Sequence, residues 1–284
     1  GGRPERPARP RRGGRPLAGD RTRAAEHGLA GSSPDVGVVG YSLGGGMGWL
    51  ARRHGLAANS VLAVELVAAE GRLVRADRDH HPELFWALRG GGGSFGVVTA
   101  LEFALYPVRD LYAGVIFWPA ERAAEILHAW REWVETVPDE VTSVGRLMQF
   151  RPIPDVPDAL RGRSFVLVEA AYLGSESNGA EILRPLRELG PELDTMAMIP
   201  AAALSSVHMD PPEPVPGVGD GTMLAELPPQ AVDALVAAAG PNRARRSSSS
   251  SFATSAARWP SRPPSRERSA RRTERSRCSP WGWP

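Results

Sequence analysis

Gly37, Gly40, Gly44, Gly45, Gly46 and Gly48 fall within twelve residues, and Gly90, Gly91, Gly92, Gly93 and Gly96 form a second cluster. Without a Cβ, backbone N–H groups can come close to a phosphate or a flat ring. The bland reading of the same glycines is tight turns between strands. GGGMG at 44–48 does not match the dinucleotide fingerprint G-x-G-x-x-G. A P-loop is excluded, because the chain has no lysine. Tyr172 closes an apolar run; it could act as a base or hydrogen-bond donor, or be a core tyrosine. His80 and His81 point apart, and no Cys or acid completes a ligand set, so exposed loop histidines are expected. His54 and His208 have no visible partner and read as structural. Ser42 lacks the G-x-S-x-G setting of a hydrolase nucleophile. Trp130 and Trp133 sit at helical spacing and read as core.

The elements that must position these residues can be sketched from periodicity. Residues 61–69 read as a buried strand, Glu70-Gly71 as a two-residue turn, and 72–76 as the returning strand of a hairpin. Pro82 suits the first turn of a short helix over 83–89, ended by Gly90. Phe85, Trp86 and Leu88 are expected to pack on the sheet. Residues 97–105 alternate, with Val97, Thr99, Leu101, Phe103 and Leu105 on one face. A second unit follows, with strands at 115–118, 141–150, 164–172 and 193–199. Its helices begin at Pro119, over 180–189 and over 229–239, with Pro185 a weak point. This order predicts an α+β domain whose sheet is covered on one face. A short helix is also expected near 21–27.

The 284 residues suffice for two domains, and the net charge of +2 conceals three regions. Residues 1–16 hold six Arg and one Glu, and 243–284 hold eleven Arg and two Glu. The middle, 17–242, has seventeen Arg against twenty-nine acids, which argues against a nucleic-acid partner for the folded part. No apolar run is long enough to span a membrane, and the N-terminus lacks a secretory signal's apolar core. Cys278 is the one cysteine, so neither an internal disulfide nor a multi-thiolate metal site is expected, and a cytoplasmic location fits. Residues 1–16 read as disordered or mis-framed. The 243–284 segment is Arg/Ser-rich and could be a solvated tail or an RNA-binding segment. A shifted reading frame fits better. With GC-rich codons from Ser248 onward, starting two bases later gives Val-Val-Val-Glu-Leu-Arg-His-Leu-Gly-Gly-Ala-Leu, a strand followed by a glycine turn.

The glycine clusters gain specificity in combination. VGVVGYSLGGGMGWLARRHGLAANSV, then VAAEGRLVRA, then PELFWALRGGGGSFGVVTALEF, resembles the second half of the FAD-binding domain of FAD-linked oxidases. This PCMH-type fold is shared by vanillyl-alcohol oxidase and the berberine bridge enzyme. The similarity is continuous over about 26–108, and 109–242 resembles more loosely the start of the substrate domain. The resemblance implies an α+β fold: part of an FAD-binding domain at 17–108, part of a substrate domain at 109–242, and disordered ends. It also implies a truncated fragment, because the family's earlier Gly-Gly-His segment has no counterpart.

What the resemblance implies can be placed residue by residue. Val36, Gly37, Val38 and Gly40 would run along the flavin pyrophosphate. Tyr41, Leu43, Gly44, Gly45 and Gly46 would follow beside the cofactor, and Gly96, Val97 and Val98 would pack near the adenosine part. Many members attach the flavin through a Cys four residues before the first Gly of this segment. That position is Ser33, so FAD would be non-covalent if bound. The implied activity is two-electron oxidation of a small-molecule alcohol, amine or related C–H centre, with O2 as acceptor. The alternative is a non-catalytic remnant that binds no flavin. No metal, nucleic acid or membrane partner is expected.

Overall fold

The structure, a computed structural model, describes residues 11–12, 37–209, 221–240 and 249–253; at 11–12 and 249–253 it describes the backbone alone. Two antiparallel sheets carry the architecture. The first joins β1 (Arg11–Arg12), β2 (Val61–Val67), β3 (Leu73–Asp77) and β4 (Val97–Phe103) in the order β1-β4-β2-β3. Val61, Val64 and Leu66 of β2 are buried, with Val38, Leu43, Phe85, Leu88 and Leu101 in the same core.

Three local details correct the sequence expectations. The hairpin loop has three residues, not two: Val67 pairs with Leu73, and Ala68 N–H donates to the Arg72 carbonyl. Gly71 closes it at φ +74°, the left-handed position that such a loop reserves for glycine. In β4, register shifts between Glu65 and Leu66 so that Leu66 faces Val98 while Glu65 faces Ala100. This bulge reverses the alternation: Leu101 stays buried, whereas Val97 is 71% exposed. In the helix Pro82–Leu88, Phe85 and Leu88 are buried on one face and Trp86 is 52% exposed on the other.

Short helices lead into this sheet: α1 (Val38–Leu43), α2 (Ala51–His54) and α3 (Ala57–Ser60); the helix Pro82–Leu88 is α4. Sequence periodicity missed the first three, because each is at most six residues long and glycines interrupt the pattern.

The second sheet is ordered β10-β6-β7-β5-β8, with β9 also on β5. Its strands are β5 (Asp110–Pro119), β6 (Val141–Gln149), β7 (Ser164–Tyr172), β8 (Leu193–Asp194), β9 (Ala197–Pro200) and β10 (Ser249–Ala253). The expected single strand over 193–199 is thus two short ones. One face is covered by α5 (Ala123–Thr136), α6 (Glu176–Arg187) and α7 (Pro229–Ala239). Ala123, Ile126, Leu127, Trp130 and Trp133 of α5 form its buried stripe. Trp130 donates to Ser143 Oγ at 2.9 Å, and Gly145 leaves room for that indole, which an added Cβ would meet at 2.9 Å.

The other face is also covered, contrary to the one-sided expectation. Trp49, Leu50, Leu204 and Val207 pack on Leu111, Phe117, Phe165 and Leu167. Two covered faces explain why β5 reads as an unbroken apolar run. Two segments expected to lack order have strand backbone: β1 pairs with β4, and β10 pairs with β6 over five residues. The helix expected near 21–27 lies outside the described residues. Among the described residues no helix is long and apolar enough to cross a membrane.

Candidate functional site

The first glycine cluster winds through α1 and the loop after it. Tyr41 N–H donates to the Gly37 carbonyl and Gly44 N–H to that of Gly40, both at 3.0 Å. Gly45 and Gly46 then turn the chain at φ +105° and +74°, and their carbonyls accept from Ala58 and Ala57 of α3 at 2.9 and 2.7 Å. A Cβ at Gly46 would lie 2.6 Å from Ala57 Cβ and 2.7 Å from the Tyr41 ring. Gly45 and Gly46 are therefore required by the fold itself.

Gly37 and Gly40 are different. Neither has positive φ, and an added Cβ would meet nothing within 4 Å at either. Any side chain could stand there without strain. The two glycines leave an open patch of bare backbone, which a phosphate chain or flat ring could approach.

The second cluster is tied to the first by Gly92 N–H donating to the Leu43 carbonyl at 3.0 Å. Gly96 is structural: at φ +147°, its Cβ would lie 2.4 Å from the Val67 carbonyl oxygen. Val97 is exposed and Val98 partly buried beside it. Between the clusters lies a cavity of about 130 Å³, lined by Gly44, Gly45, Trp86, Arg89 and Gly90, among others. Burial first, and the charge of Arg78 second, lower the pKa of Arg89; its guanidinium lies 4.4 Å over the Phe85 ring.

Ser33 and Val36 lie outside the described residues. Tyr172 packs with the helix-covered core, on the side of the sheet away from Trp49 and the glycine loop. The structure does not bring it to the other candidates. His80 hydrogen-bonds Asp77 at 2.9 Å on the surface, His81 precedes α4 in left-handed backbone, and His54 stacks on Tyr106 at 3.7 Å. No cluster of metal-ligating residues forms among the described residues.

One group went unnoticed in the sequence. Glu169, in the middle of β7, is fully buried. Its carboxylate meets Arg146 Nη1 of β6 at 3.0 Å and His208 Nδ1 at 2.5 Å. The His208 ring lies 4.6 Å from that of Trp49, three residues beyond Gly46. The available signal was an acid inside SFVLVEAAY, an otherwise apolar strand.

Comparison with known proteins supplies the class. No family model matches the chain. It is 34% identical over 194 residues to the uncharacterised FAD-linked oxidoreductase YvdP of Bacillus subtilis, covering 67% of this chain and 40% of that protein. The fold superposes on 6-hydroxy-D-nicotine oxidase from Arthrobacter nicotinovorans with a TM-score of 0.61 at 30% identity, covering 72% of this chain and 45% of that one. It also superposes on berberine bridge enzyme-like protein 28 of Arabidopsis thaliana, with a TM-score of 0.59 at 25% identity, covering 69% and 41%. These relatives are FAD-linked oxidoreductases, and the chain resembles part of their length. Within that class its fold is that of the berberine bridge enzyme-like flavoproteins, and the curated relatives it matches are FAD-linked. It spans about 40% of the length of YvdP.

Proposed function

We propose that residues 37–108 form one wall of an FAD site and that 109–242 supply substrate-side structure. The enzyme would oxidise a small-molecule alcohol, amine or related C–H centre by two electrons, with O2 as acceptor. The bare backbone at Gly37 and Gly40 carries this reading, because neither positive φ nor steric contact requires glycine at either position. When bound, FAD supplies the two-electron acceptor. Val38, Tyr41, Leu43 and the glycines of 37–46 would hold it through backbone groups, and Gly96, Val97 and Val98 would flank its adenosine end. Ser33 offers no thiolate, so no cysteinyl bond to the cofactor would form at that position. The likeness to a nicotine oxidase supports trying nicotine-like amines first.

Flavin fluorescence titration tests the wall. FAD should quench on binding, and Gly40→Val should weaken binding at least about tenfold, or ~1.4 kcal/mol, because its side chain occupies the open patch. Equal affinity of the two proteins would remove Gly40 from the cofactor surface.

A further inference from the structure

Three histidines make acid pairs among the described residues: His80 with Asp77, His128 with Asp233, and His208 with Glu169. The first two acids are solvent-accessible, while the Glu169 side chain is 0% exposed. An apolar residue would fit such a position at lower cost, because burying a carboxylate is expensive unless it is paired. Its two partners come from different elements. Arg146 Nη1 bridges Glu169 and the His208 carbonyl, each at 3.0 Å. The backbone and ring of His208 are thus both held. Its Nδ1 faces Glu169 Oε2 at ion-pair distance, outside hydrogen-bond geometry, and the side chain is 40% exposed, so Nε2 is the nitrogen turned from the carboxylate and open to a ligand. Glu169 from β7 and Arg146 from β6 are the charged groups shown facing His208. The third neighbour, Trp49, is the exit of the glycine loop. The cluster therefore sits where the candidate cofactor wall meets the sheet, on the face opposite α5, α6 and α7.

We propose that His208 is the proton-accepting catalytic residue of the oxidation, with Glu169 and Arg146 as its positioning residues. This rests on the oxidase reading above. The substrate loses a C–H bond, whose electron pair passes to FAD, the oxidant. Its O–H or N–H proton passes to His208 Nε2, and a C=O or C=N bond forms. Glu169 stabilises the resulting imidazolium, the role of a buried carboxylate behind a catalytic imidazole.

The test has two arms. In the 284-residue chain, carbethoxylation by diethyl pyrocarbonate, mapped by mass spectrometry, should modify His208 at Nε2. In Glu169→Gln the nitrogen selectivity at His208 should be lost. A His208 that stays unmodified while exposed His80 reacts, or selectivity unchanged in Glu169→Gln, overturns the assignment. In the FAD-loaded protein, 1-phenylethanol and 1-phenylethylamine serve as probes, and flavin bleaching is followed by stopped flow across pH. His208→Asn should retain FAD absorbance but bleach about 100-fold more slowly or worse, lose the wild-type pH dependence, and recover in part with added imidazole. Glu169→Gln should slow bleaching less and gain nothing from imidazole. Wild-type bleaching with His208→Asn unaffected sinks the His208 role alone. Wild type unbleached by both probes and by nicotine-like amines sinks the oxidase reading, and this assignment with it.

Discussion

The glycines of 37–46 serve two different purposes, and alanine substitution should separate them. At Gly46 a methyl would lie 2.6 Å from Ala57 Cβ and 2.7 Å from the Tyr41 ring, at φ +74°. The left-handed backbone costs an L-residue about 1–2 kcal/mol, and overpacking adds about 1–3 kcal/mol. Gly46→Ala should therefore destabilise the protein by roughly 2–5 kcal/mol. Gly40 lies inside α1 with nothing within 4 Å of its Cβ position. There alanine should be neutral or stabilising by up to ~1 kcal/mol, because it lowers the entropy of the unfolded chain. Urea unfolding followed by tryptophan fluorescence reads both. With an m-value of ~2 kcal/mol/M, Gly46→Ala should lower the midpoint by about 1–2.5 M, while Gly40→Ala should hold or raise it. FAD affinity should fall in Gly40→Ala despite the unimpaired fold. A Gly46→Ala loss under about 1 kcal/mol would refute the steric reasoning. A clearly destabilised Gly40→Ala would show that the patch is structural after all.

Other expectations follow from burial, charge and volume. Phe85→Ala should cost about 3–5 kcal/mol, whereas Trp86→Ala should cost under about 1 kcal/mol, since Trp86 is half exposed; thermal unfolding of the two variants would show the contrast. Hydrogen bonding from the His80 backbone, and then from its side chain, lowers the Asp77 pKa from 3.8 to about 2. A carboxyl depressed in the folded state adds stability above its unfolded pKa and loses it as pH falls through the folded value. Protection of the His80 amide should therefore weaken as pH drops from about 4 toward 2, and Asp77→Asn should flatten that dependence. The glycine cavity holds about 130 Å³, against roughly 300–1,000 Å³ for small-molecule and cofactor sites. The 284-residue chain should therefore purify without flavin colour; stoichiometric FAD absorbance would contradict the one-wall geometry.

The fold was legible wherever a long element buried one stripe or two faces. The run of Ile126, Leu127, Trp130 and Trp133 located α5, and the strand over 164–172 matched β7 to the residue. Failures came from features without a period. The bulge beside Thr99 turned Val97 outward, α4 showed Trp86 to solvent, and the three-residue loop closed by Gly71 was read as two residues. Each is a one-residue shift, which is enough to reverse a face. The Arg/Ser-rich tail gave a composition of disorder, yet the backbone of β10 lies along β6. With GC-rich serine codons, a frame two bases later would read as a valine-rich strand, and sequencing the gene would show whether the frame breaks near codon 248.

The candidate site was legible by glycine spacing and illegible by charge. Six glycines within twelve residues mark one loop in the sequence, but sequence alone does not divide them. Only packing around Tyr41 and Ala57 shows that Gly46 serves the fold, while Gly37 and Gly40 leave backbone bare. Tyr172 attracted attention because it ends a strand, and strand parity then placed it on the helix-covered face. Three residues earlier, the same parity places Glu169 on the opposite face, below His208 and Trp49. Glu169 and His208 lie thirty-nine positions apart, with α6, β8 and β9 between them. No spacing rule joins them; the return of the chain over the sheet does. An acid in an apolar strand is therefore the feature that most rewards a search for its partner, because burial without pairing would be too costly to persist.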